Sequence, residues 1–129
     1  MFRSFHLAAA LLPVLFLFSS CATDHPAAYT GPLPHGAISS GTLASSDLIS
    51  EAKKNIPAAM QASGYSAPSD LSFTAFLTKA PSGPDGSIRW QEQWFFHSGG
   101  EQVVAVIDFH QTGAAGTEMN IRVPEKKTR

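Results

Sequence analysis

Apolar positions along this chain follow three rhythms, and each marks a different part of the molecule. Residues 7–18 form one continuous apolar run behind a short start whose only charge is Arg3. The run falls short of the ~20 apolar residues that a membrane-spanning helix requires and has the length of the apolar core of an export signal. Over residues 46–63, Leu48, Ile49, Ala52, Ile56, Ala59 and Met60 recur at spacings that put them on one helical stripe, opposite Lys53, Lys54 and Gln61. From Leu71 onward the period falls to two.

The helical stretch carries its own punctuation. Ser46 is placed to cap it, Asp47 and Glu51 sit at the positive end of the dipole, and Gly64 offers a left-handed residue to end it. Pro57 conflicts with the stripe, because in a helix interior its ring clashes with the carbonyl four residues back and costs about 3 kcal/mol. The pattern therefore predicts either a kink at residues 53–57 or a break with Pro57 opening a second short helix.

In the period-two region, Leu71, Phe73, Ala75 and Leu77 share one face of a first strand, and the proline- and glycine-rich residues 80–86 force a connection. A second strand over residues 88–97 puts Ile88, Trp90, Glu92, Trp94 and Phe96 on one side. Gly99 and Gly100 then supply the positive φ angles of a two-residue hairpin turn. That turn sets Ser98 opposite Glu101, and so Trp90 opposite Phe109, Glu92 opposite Ile107, Trp94 opposite Ala105 and Phe96 opposite Val103. A third strand spans residues 102–110, a glycine-containing loop follows, and a fourth strand buries Met119, Ile121 and Val123. The expected fold class is α+β: one N-terminal helix packed on a four-stranded antiparallel β-meander, in two layers.

Residues 22–45 hold Pro26, Pro32, Pro34, Gly31, Gly36 and Gly41 without apolar periodicity, which reads as a tether with scope for a short edge strand near Ala37 and Ile38. The expected organisation is a signal peptide at 1–20, a tether at 21–45, a single domain at 46–124 and a frayed basic tail at 125–129. With a formal net charge of −1 over 129 residues and scattered cations, nothing in the chain resembles an electrostatic footprint for nucleic acid.

Ser19 and Ser20 precede Cys21, and this junction resembles the lipobox of bacterial lipoproteins, where cleavage falls before a cysteine carrying a diacylglyceryl thioether. Phe18 departs from the leucine usual three positions before that cysteine. Cys21 is the only cysteine, so the chain has no internal disulfide, and lipidation would consume the thiol. The resemblance implies a lipoprotein fixed in the membrane of the cell envelope by acyl chains such as palmitate. Ala22, rather than an aspartate, after the cysteine implies an outer membrane facing the periplasm, where the organism has one. An ordinary signal peptide cut near Ala22 remains the other reading.

Candidate chemistry is sparse. The register puts His97 at the turn end of the hairpin and His110 at the far end, roughly 20 Å or more apart at ~3.3 Å per residue, too far to share a metal. No serine lies in a G-x-S-x-G context, and Gly113 and Gly116 lack the strand-loop-helix setting of a phosphate cradle. Without a catalytic motif, a metal cluster or a cofactor signature, the chain does not read as an enzyme. Glu92 is the one ionisable side chain in an apolar series, and a carboxylate there requires neutralisation or a donor such as Lys53, Lys54 or a tryptophan N–H.

Two surfaces remain. Phe76, Phe95, Val104 and Val106 fall on the sheet face opposite the core and form a candidate docking face for a protein partner or a second copy. The plainer account is that the tether or a helix end folds over them, or that β-propensity selected them. Trp90, Glu92 and Trp94 line a candidate small-ligand cleft between helix and sheet.

The stretch from Trp90 to Ile121, with W-Q-E-Q-W, S-G-G, V-V-A-V-I-D-F and G-A-A-G-T-E-M-N-I, also resembles small bacterial exported proteins of no known function. Those pair a tryptophan-rich strand, often ending in a Cys-Gly turn, with a V-x-V-x-F strand; Ser98 stands here where that cysteine would be. The likeness implies the meander and no activity. The expected role is a membrane-anchored envelope lipoprotein, structural or partner-binding, with ligand binding in the cleft as the alternative.

Overall fold

The computed structural model describes residues 29–126, except 69, 114 and 115. Its elements run β1 (Ser39–Ser40), α1 (Ser46–Ala62), β2 (Thr74–Ser82), β3 (Ile88–Ser98), β4 (Glu101–Gln111) and β5 (Thr117–Arg122). The strands form one antiparallel sheet in the order β1-β2-β3-β4-β5, with α1 packed on one face. The α+β class stands, and the meander gains a fifth strand from the stretch expected to be tether.

That stretch is bonded to the domain in its second half. The Ile38 N–H donates to the Leu77 carbonyl at 2.7 Å and the Gly41 N–H to that of Ala75 at 2.8 Å. Ser39 pairs with Leu77 and Ser40 with Phe76. Backbone groups supply this edge strand, which is why polar Ser39 and Ser40 can form it without an apolar rhythm.

Helix α1 is capped one residue earlier than expected: the Ser45 side chain, not that of Ser46, accepts the Leu48 N–H. Its other end is a Schellman motif around Gly64 (φ 95°), with the Tyr65 N–H reaching the Met60 carbonyl and the Gly64 N–H that of Gln61. Of the two expectations at Pro57, a kink or a break, the break is absent: one helix, Ser46–Ala62, runs through the proline. Ile49, Ala52, Ile56 and Met60, all fully buried, lie on both sides of the proline and hold the two halves in register on the sheet. Packing outweighs a cost of about 3 kcal/mol.

The β3–β4 register agrees pair for pair with the sequence reading, from Ile88 opposite Gln111 to Ser98 opposite Glu101. Gly99 (φ 59°) and Gly100 (φ 84°) make the tight turn. Under the helix, Trp94 stacks on Phe73 with ring centroids 4.1 Å apart, and Trp90 stacks on Phe109 at 4.8 Å. Strand β2 is less regular. Its pairing with β3 shifts between Leu77 and Lys79 and again between Lys79 and Ser82.

The end of the chain is also tied down. The Ser63 hydroxyl donates to the Val123 carbonyl at 2.5 Å, and the Lys126 N–H donates to the Ser63 carbonyl at 2.8 Å. Lys126 Nζ reaches Glu101 Oε1 at 2.7 Å. Lys126, expected in a frayed tail, is therefore held by both the helix end and the hairpin turn; residues 127–129 lie outside the described residues.

Candidate functional site

Glu92 sits at the centre of the covered sheet face with no exposed surface, between Leu77 of β2 and Ile107 of β4. Oε1 accepts the Thr42 hydroxyl at 2.6 Å and the Trp94 indole N–H at 2.8 Å. Oε2 accepts the Leu43 backbone N–H at 2.9 Å and the Trp90 indole N–H at 2.9 Å. A carboxylate offers about four acceptor positions, and all four are filled. The two tryptophans flank Glu92 because residues two apart share a face.

Of the expected donors, the tryptophan N–H groups of Trp90 and Trp94 are the ones that reach Glu92, and the other two come from Thr42 and Leu43, in a segment whose sequence gives no hint of it. Trp90, Glu92 and Trp94 do not line one cleft together: Glu92 and Trp94 are completely enclosed, and Trp90 alone borders an open depression of about 320 Å³ with Lys79, Ser82, Arg89 and Asp108. Their polar atoms are spent on one another, and the cluster is a latch that pins the strap of residues 37–44 to the sheet.

The opposite, outer face divides into two halves. Near the β3–β4 turn it is aromatic: Tyr29 meets Phe76 edge-to-face at 5.0 Å, and Phe76 meets Phe95 the same way at 5.3 Å. Phe76, expected to be open, is only 3% exposed: the Tyr29 ring packs on it, Phe95 flanks it and Ser40 pairs beside it. Phe95, Val104 and Val106 are half-buried, with Phe95 directly opposite Val104. Beside them lies an open depression of about 330 Å³ bounded by Tyr29, Pro32, Pro34, Thr74, His97 and Gln102 along with the two phenylalanines.

The other half is charged. Gln91 Nε2 donates to Asp108 Oδ1 at 2.8 Å, and Arg122 Nη2 to Oδ2 at 3.1 Å. Burial disfavours the charged form of Asp108, but these two hydrogen bonds, with the charges of Arg122 and Lys79, outweigh it and hold the carboxyl below its ordinary range.

Next to this network the fold gathers a trio that sequence spacing hides. Ser87 Oγ lies 2.9 Å from His110 Nε2, and His110 Nδ1 lies 3.7 Å from Glu118 Oε1. The order nucleophile, base, carboxylate is that of a hydrolytic relay. Two features set it apart from one. The Ser87 N–H already serves the Pro84 carbonyl, and the Glu118 side chain is 78% exposed, so water competes for it. The trio fastens the β2–β3 loop to β4 and β5. His97, opposite Gln102, is at the other end of the hairpin from His110, opposite Arg89. Among the described residues no three metal-ligating side chains come together.

Cys21 lies outside the described residues. Among the described ones, no helix is long and apolar enough to cross a membrane. Fold and surface together define a small α+β module with one sheet face covered by a helix and the other open apart from a strap. No family model matches the chain, and neither curated proteins nor solved structures show a significant similarity to it.

Proposed function

We propose that the chain is a membrane-anchored envelope lipoprotein, held through Cys21, whose domain binds a protein partner on the outer face of its sheet. The observation that carries the binding role is the half-buried apolar group Phe95, Val104 and Val106, which continues the Tyr29–Phe76–Phe95 aromatic row without a second layer over it among the described residues. Aromatic and aliphatic side chains beside a polar rim are what protein interfaces favour at their centres. The anchor rests on the short apolar run, the small residues before Cys21 and the single thiol. Ligand binding at Trp90, Glu92 and Trp94 draws no support from a cluster whose hydrogen bonds are internally complete.

A photo-crosslinking residue at Val104, with a second variant carrying it at Lys54 on the helix, tests the binding role in intact cells. A discrete adduct from Val104 alone, lost in the folded Phe95→Asp variant, is the expected result. Equal adducts from both positions, or none, would overturn it.

A further inference from the structure

The large apolar side chains that stand most exposed are Tyr29, Leu33, Ile38 and Leu43, at 37%, 45%, 53% and 54%. Ile38 and Leu43 belong to the strap and Tyr29 and Leu33 to the residues leading into it, and elsewhere among the described residues the comparable side chains are more covered. The strap forms the β1 edge of the sheet through Ser39 and Ser40 and is fixed there by the Ile38 and Gly41 backbone bonds and by the Glu92 latch. Its exposed side chains therefore ride on a rigid edge.

We propose that this edge rests on the bilayer, so that the sheet stands edge-on to the membrane with Leu33, Ile38 and Leu43 in the lipid interface. The inference rests on the reading of Cys21 as the lipidated residue. Tyr29 lies eight residue steps after Cys21, and a fully extended chain reaches about 3.3–3.6 Å per step, so Tyr29 stays within roughly 29 Å of the anchored cysteine. A domain of this size is itself some 30 Å across. A leash no longer than the domain brings the strap edge to the surface first. Tyrosine and aliphatic side chains suit that boundary, where an apolar body meets lipid and a polar tip meets water. The opposite edge, β5, and the solvent side of α1 point away. Edge-on seating leaves the outer face open sideways to a partner in the same membrane.

The test uses the full lipidated chain reconstituted in phosphatidylethanolamine–phosphatidylglycerol vesicles. Leu33→Cys, Ile38→Cys and, as a control on the far layer, Lys54→Cys are each labelled with an environment-sensitive fluorophore; the thioether at Cys21 does not react. The expected result is blue-shifted emission at positions 33 and 38 and at least twofold stronger quenching there than at 54 by doxyl-labelled phospholipid. Vesicles that carry the protein on flotation but give equal quenching at all three positions would overturn the orientation and leave the anchor standing. A blue shift without lipid quenching that fades as protein is diluted in the vesicles would assign the edge to a second copy and overturn the proposal. Protein that fails to float with vesicles would remove the anchor and the orientation together.

Discussion

Thr42 and Glu92, fifty positions apart in sequence, meet at 2.6 Å, and that hydrogen bond joins the half-buried strap to the fully buried middle of the sheet. The carboxylate is acceptable in an apolar layer only because four donors converge on it. Glu92→Gln presents an amide NH₂ where acceptors are needed and leaves buried donors unmatched, at ~1–3 kcal/mol for each. The expected loss is on the order of 3 kcal/mol for Glu92→Gln and ~1–2 kcal/mol for Thr42→Val, measured by urea unfolding. A Gln variant as stable as the parent would show that the latch contributes nothing.

The two sheet faces should respond differently to truncation. Trp94→Ala removes a fully buried ring stacked on Phe73 and is expected to cost about 3–5 kcal/mol. Phe95→Ala loses an edge-to-face contact with Phe76 on the half-open side, at about 1 kcal/mol. Thermal melts of the pair decide it, and comparable losses would mean that the outer face is a second core.

Gly83 and Gly86, both in the β2–β3 connection, form a matched pair. Each has a positive φ, 125° and 82°, but a Cβ at Gly83 would come within 2.2 Å of the Ser87 carbonyl oxygen, whereas the space around Gly86 is open. Gly86→Ala should cost on the order of 1–2 kcal/mol from backbone conformation alone. Gly83→Ala must also displace the loop that carries Ser87, and should shift the Ile88 and Arg89 amide signals in NMR spectra. Identical melting curves for the two would contradict the close approach.

Asp108 supplies a pH dependence of definite sign. Its folded-state pKa lies below the ordinary carboxyl value, so the stability it contributes is present above the unfolded pKa and disappears as pH falls through the folded one. The side chain is 40% exposed, which keeps the effect small through solvent screening. Asp108→Asn should flatten the acid limb of a plot of urea midpoint against pH below about pH 4. An unchanged limb would show that the Gln91 and Arg122 bonds do not favour the ionised form.

A fluorophosphonate probe should leave Ser87 unlabelled, because the hydroxyl next to His110 lacks a paired oxyanion donor in its own N–H. Labelling abolished by Ser87→Ala would establish a nucleophile there.

How legible each part was follows from the range of the interactions that fix it. The Gly99-Gly100 turn and the alternation on both sides determine the β3–β4 pairing locally, and a one-residue slip would expose Trp90 and Trp94. Glu92 stood out as a buried acid, but its partners Thr42 and Leu43 lie in a stretch with no period. The same stretch supplies the fifth strand, at Ser39–Ser40 beside the expected short edge strand near Ala37 and Ile38, and through Tyr29 the cover over Phe76 that is the plainer of the two readings of that face. At Pro57 the local cost and the stripe pull in opposite directions, and the stripe is strong enough to carry one helix through. Ser87, His110 and Glu118 meet because a loop and two strands converge, a relationship that no spacing along one strand encodes.

The strand order also separates the ends of the described chain. With β1 and β5 on opposite edges, four inter-strand steps of about 4.8 Å put some 19 Å of sheet between the strap and Arg122. Circular permutation joining the strap to the end of β5 would have to bridge the whole width of the sheet, unlike in domains whose ends lie side by side. A reporter fused after Lys126 would leave the domain where the helix end meets the hairpin turn, where Lys126 is bonded to Ser63 and Glu101, and not from the strap edge.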